Sequence, residues 1–113
     1  MALRFKKSVE VWSIKFPAAY AIGVASHLAT TLNLFFTVTS VEDGRHGSAA
    51  SLHYRGLAFD VRTRDWSRQD TDIFKQELTR HLGTAYDVVD EGDHIHVEYD
   101  PPTEKHRLIE WTD

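Results

Sequence analysis

Apolar residues recur along this chain at two different spacings. Ala21, Ala25, Leu28 and Leu32 fall three and four residues apart, which is one apolar face of an α-helix. Pro17 suits the first turn of that helix, where its missing N–H costs nothing, and Asn33 offers an end to it. Ahead of the helix, residues 9–16 (VEVWSIKF) are β-prone and are assigned a strand, although their alternation breaks at Val11 and Trp12. Leu34 to Ser40 (LFFTVTS) is rich in β-branched and aromatic residues and reads as a second strand. A polar loop with Gly44 and Gly47 runs from Val41 to Ser51. In Gly56 to Thr63 (GLAFDVRT), Leu57, Phe59 and Val61 alternate with Ala58, Asp60 and Arg62, the period of a half-buried strand. Ser67 can cap a helix lined on one side by Phe74, Leu78 and Leu82 and stopped by Gly83. Tyr86 to Val89 and His94 to Tyr99 follow as strands joined by the turn Asp90-Glu91-Gly92-Asp93, and the tail after Pro101-Pro102 receives no assignment. The order predicts an α+β domain, a small, mostly antiparallel sheet packed with helices.

A length of 113 residues supports one core, so a single domain over residues 1–113 is expected. With 0 Cys, the chain can hold no disulfide, no thiolate metal site and no cysteine nucleophile. Its 13 Lys and Arg against 17 Asp and Glu leave a net charge of −4, which argues against a phosphate-neutralising surface and a nucleic acid partner. The longest apolar stretch, Phe16 to Ala25, is far short of the ~20 residues a bilayer demands, so no membrane insertion is expected. The start, MALRFKK, is basic, but Glu10 and Lys15 interrupt the apolar run of a secretory signal, and a soluble chain without an export signal is expected. Seven histidines are out of line with this ordinary composition. A transition metal would have to be held by imidazole and carboxylate alone.

Two segments concentrate those groups: Ser51-Leu-His53-Tyr-Arg-Gly56-Leu-Ala58-Phe-Asp60 and Asp93-His94-Ile-His96-Val-Glu98. His53 lies just before a strand and Asp60 within it, with Gly56 allowing a tight turn and Ala58 leaving room between them. His94 and His96 are two apart and project from one face of theirs. A lone His-x-His is more often a solvent-facing pair. If the two strands are neighbours, however, imidazoles and a carboxylate converge on one point. Two His and one carboxylate around an open position form the ligand set of hydrolytic zinc sites.

The spacing Ser-x-His-x-x-Gly-x-Ala-x-Asp, followed about 35 residues later by His-x-His, closely resembles the zinc D-alanyl-D-alanine carboxypeptidase family. That family includes the phage endolysins that cut the L-alanyl-D-glutamate bond of peptidoglycan. The resemblance runs from about Thr37 to Glu98 and implies a Hedgehog/DD-peptidase-like fold. It implies His53, Asp60 and His96 as zinc ligands and Asp93, three before the last ligand, as general base. Arg45 would steady the substrate carbonyl, Ser51 would hydrogen-bond substrate or the ligand loop, and His94 would stand beside the metal. Strict alternation would send Asp93 to the face opposite His94 and His96, so the base role needs Asp93 to belong to the turn. Glu91 and Asp90 are the alternatives.

The implied function is zinc-dependent hydrolysis of peptidoglycan stem peptides by a monomer, as a D,D-carboxypeptidase or an L,D-endopeptidase. It would act at the bacterial cell wall after release from a host cytoplasm or on a phage particle. A carboxypeptidase needs a cation for the terminal carboxylate, and Arg45, Arg55, Arg62 or Arg64 could serve. The fold also hosts the Hedgehog signalling domain, whose lipid-bearing cysteine has no counterpart here and whose acidic calcium cluster is reduced to Glu42 and Asp43. A catalytically silent zinc-binding or virion structural domain is the alternative, and a peptidase for free D-amino-acid dipeptides a third reading. His46 could line the cleft, whereas His27, His81 and His106 need no function, and Trp12, Trp66 and Trp111 read as packing residues.

Overall fold

The computed structural model describes residues 3–7, 15–42 and 57–101. Within them run β1 (Arg4–Phe5), α1 (Phe16–Thr31), β2 (Thr37–Glu42), β3 (Ala58–Arg62), α2 (Arg68–Leu82), β4 (Tyr86–Asp90) and β5 (His94–Tyr99), with a 3₁₀ turn, Gly83–Ala85, leading into β4. The five strands form one sheet in the order β1-β2-β3-β5-β4. Only the β1–β2 pair is parallel; the other three are antiparallel. The expected α+β class and mostly antiparallel sheet are therefore what the chain adopts.

Local chemistry sets the helix ends. Pro17 stands in the first turn of α1. At the other end Asn33 takes φ 59, its N–H donates to Thr30 O (3.1 Å), and Leu34 N–H donates to Ala29 O (2.8 Å). That pair of bonds around a left-handed residue satisfies carbonyls the helix leaves open, and Asn is one of the few residues that adopts the conformation readily. Ser67 caps α2, its hydroxyl accepting from Asp70 N–H at 3.0 Å, and Gly83 ends it at φ 74. Trp66 serves as packing: its Nε1–H donates to Phe35 O (2.9 Å), and its ring meets Phe74 edge-on at 4.8 Å.

Alternation sorts the sheet into two faces. Phe59 and Val61 of β3 and Ile95 and Val97 of β5 are fully buried in one core with Ala21, Ala25 and Leu28 of α1 and Phe74, Leu78 and Leu82 of α2. Both helices therefore cover the same face, and burying each large side chain there contributes about 1.5–3 kcal/mol. The intervening residues Asp60, Arg62, His94, His96 and Glu98 share the other face, each partly exposed. In β2 the register slips between Val38, opposite Val61, and Ser40, opposite Asp60. This bulge lets both Val38 and Val41 reach the core and sets Thr39 and Ser40 against Asp60.

Several expectations need correction. Phe16 opens α1 instead of closing a strand, because Lys15 already supplies the extended residue before the helix. The remainder of that strand, 9–14, lies outside the described residues. β2 starts at Thr37, not Leu34, because the turn through Asn33 takes up Leu34 as helix cap, and it continues through Val41 and Glu42, where the sequence predicts a loop. β1 was not anticipated. It exists through Arg4 N–H to Phe36 O (3.1 Å) and Lys6 N–H to Val38 O (2.8 Å), with the Arg4 guanidinium over the Phe35 ring at 4.9 Å. Among the described residues no helix is long and apolar enough to cross a membrane.

Candidate metal centre

The site begins with register. Asp60 on β3 and His96 on β5 are directly opposed in their antiparallel pair, as are Arg62 and His94. Opposed side chains share a face and approach closely, and His96 Nδ1 lies 2.7 Å from Asp60 Oδ1. His96 Nε2 lies 3.1 Å from Glu98 Oε1, the next residue along the same face. An imidazole can donate from both nitrogens only when protonated. The Asp60 hydrogen bond, aided by Glu98 and opposed by burial, raises the His96 pKa to about 9, so both nitrogens donate at neutral pH.

The turn between β4 and β5 brings the remaining groups. Gly92 takes φ 98, a conformation strained for any residue with a Cβ. Its N–H donates to Asp90 Oδ1 (3.0 Å), and Glu91 N–H donates to His94 O (2.8 Å). Asp90 is also bonded to Arg68 of α2. The Gly92 N–H, and then Arg68, hold its carboxyl below the usual range. Asp90 thus ties the turn to the helix layer, away from His96, and does not join the site.

Glu91 does join it. Donor atoms of Asp60, Glu91 and His96 all lie within 4.8 Å of one another, a group that can hold a metal ion. Glu91 also reaches His94, Oε1 to Nε2 at 2.8 Å, while His94 Nδ1 lies 2.7 Å from Asp93 Oδ1. Asp93 raises the His94 pKa, and His94 in turn lowers that of Asp93. Asp93 belongs to the turn, since β5 starts at His94, and its side chain is turned to the His94 side and largely exposed. Pleating therefore does not force it to the opposite face.

Of the residues singled out from the sequence, Asp60, His94, His96 and Asp93 come together in one place. His53, Arg45, Ser51 and His46 lie outside the described residues. Glu98 carries no role in the sequence reading, and Glu91 enters it only as an alternative base. Glu98 sits at the same two-residue spacing that aligns His94 with His96, so alternation contained its signal. Glu91 as a metal-side group depends on the backbone of Gly92, which no periodicity encodes.

Beside the group lies a polar cleft of about 330 Å³, lined by Lys6, Thr39, Asp60, Arg62, Arg64, Asp93 and His94. A larger groove, about 770 Å³, is lined among the described residues by α1 and α2, including Tyr20, Val24, His27 and Arg80. Compared with known proteins, the chain matches no protein-family model, no curated protein and no solved structure.

Proposed function

We propose that the chain is a zinc-dependent peptidase hydrolysing peptide bonds of peptidoglycan stem peptides, on a Hedgehog/DD-peptidase-like fold. The observation that carries this reading is the convergence of Asp60, Glu91 and His96 from two strands and a turn. The donor chemistry fits zinc: imidazole nitrogen and carboxylate oxygen are its usual ligands, at about 2.0–2.2 Å. Asp60 and His96 are two ligands, with Glu91 at hand and His53 the further ligand that the sequence resemblance implies. With the Nδ1 proton displaced, Glu98 would keep the Nε2–H of His96 and leave Nδ1, on the Asp60 side, to offer its lone pair to the metal.

A zinc ion held by these residues would supply a Lewis acid for the scissile carbonyl. The protein's own groups do the rest. Asp93, ionised because His94 holds its pKa low, accepts a proton from water at the rim of the cleft and returns it to the leaving amine. His94, held between Asp93 and Glu91, keeps positive charge beside the carbonyl where negative charge develops.

Metal analysis and digestion of purified peptidoglycan, read by mass spectrometry of the released fragments, test this on one preparation. Stoichiometric zinc and cleavage that a chelator abolishes are expected. Asp93→Ala should keep the zinc and lose about 10²–10⁴-fold in rate, whereas His96→Ala should lose both. Zinc without cleavage would favour a silent zinc-binding domain, and a chain that binds no zinc would overturn the reading.

A further inference from the structure

The cleft next to the metal group has a chemistry of its own. Lys6, Arg62 and Arg64 bring three cations to it from two places in the chain, the ends of β1 and β3. Lys6 arrives because β1 pairs with β2, its N–H bonded to Val38 O. Arg62 arrives by register, directly opposite His94. Arg64 follows where Thr63 N–H donates to Asp93 O (2.9 Å), which draws the end of β3 to the turn. Two arginines of α2 are paired: Arg68 with Asp72 (2.8 Å) and Asp90, Arg80 with Glu77 (3.0 Å). Among the described residues, Lys6, Arg62 and Arg64 take part in no ion pair within 4.0 Å. Against them the cleft sets the carboxylates of Asp60 and Asp93, and Asp60 turns toward His96. Positive charge is left in excess in a chain whose net charge is −4.

We propose that Lys6, Arg62 and Arg64 form a subsite for a carboxylate of the peptide substrate, adjoining the metal group through Asp60, which borders both; this rests on the peptidase reading. Guanidinium groups suit a carboxylate because they offer paired N–H donors in a plane. The volume, near the lower limit for a ligand pocket, suits a terminal residue or one acidic side chain better than a long stretch of peptide. Of the four arginines that could have met a terminal carboxylate, the cleft selects Arg62 and Arg64 and adds Lys6; Arg45 and Arg55 lie outside the described residues.

Binding tests the subsite without cleavage. ¹⁵N-labelled full-length chain, kept free of metal by a chelator, is titrated with three peptides and followed by NMR. The peptides are N-acetyl-D-alanyl-D-alanine, its C-terminal amide, and an amidated alanyl-glutamate with only a side-chain carboxylate. At least one carboxylate peptide should bind about tenfold more tightly than the neutral amide, with shifts confined to Lys6, Thr39, Arg62, Arg64, Asp93 and His94. Which acid binds better identifies the source of the carboxylate. Arg62→Gln/Arg64→Gln should remove the preference, and Lys6→Gln should reduce it. Equal binding of acids and amide, or a preference that survives the double substitution, would overturn the subsite. A chain that prefers the acid yet cuts nothing loses the peptidase reading and keeps the subsite. One that cuts acid and amide alike keeps the peptidase reading and loses the subsite.

Discussion

His96 is held by two carboxylates at once, and that makes its proton a competitor of any metal. With a pKa of about 9, the imidazole carries that proton at neutral pH, and a metal must displace it. Zinc affinity is therefore expected to climb about tenfold per pH unit up to about pH 9, measurable by competition with a chromophoric chelator. A flat profile from pH 7 upward would exclude His96 as a ligand. In the metal-free chain the linkage has the opposite sense. A raised pKa contributes stability that is complete below about 6.5, the ordinary histidine value, and is lost as pH rises through about 9. At this scale the sequence was informative wherever a period of two decided the geometry, which placed His94 and His96 on one face; that Asp60 shares it depends on the pairing of β3 with β5. The sequence offered Glu91 only as an alternative base, because the turn that brings it beside His96 is set by the left-handed Gly92 and by Asp90, which no period encodes.

The turn between β4 and β5 is fixed by elements on both sides of it. Asp90 holds the Gly92 N–H and Arg68 of α2, and this double use keeps its carboxyl below the ordinary range. A depressed pKa contributes stability that is present above about pH 4 and lost as pH falls through the lowered value. Asp90→Asn should therefore be less stable than the parent at neutral pH, and the difference should close in acid. Urea midpoints at the two pH values would show it, and an equal gap at both would refute the linkage. The same substitution should weaken zinc binding, since Glu91 rides on that turn. Long elements with caps were readable in advance: α1 from its spacing and Pro17, α2 from Ser67, Phe74, Leu78 and Gly83, β3 and β5 from alternation. β1 was not, because two residues carry no period and their place comes from pairing with Phe36 and Val38.

In the molecule as a whole, the proposed metal would link binding to folding. Zinc that binds the folded chain and not the unfolded one, at a free concentration about a hundredfold above its dissociation constant, stabilises by about 2.7 kcal/mol. For a domain of this size the midpoint of thermal unfolding should rise on the order of 10 °C, and the chelator should reverse the rise in a calorimeter. Asp60→Ala should abolish the response, and a rise that survives it would place the metal elsewhere. The span of chain between the paired Asp60 and His96 gives this a further consequence. They are 36 residues apart, and all of α2 and β4 lies between them. An ion joining them is a reversible cross-link. A permanent one over that span would remove about 4 kcal/mol of freedom from the unfolded chain. On the proposed reading, metal would govern lifetime as well as chemistry: stripped of it, α2 and β4 would open more often and fall sooner to a protease. A metal-poor compartment would clear the protein, and a metal-rich one would let it persist.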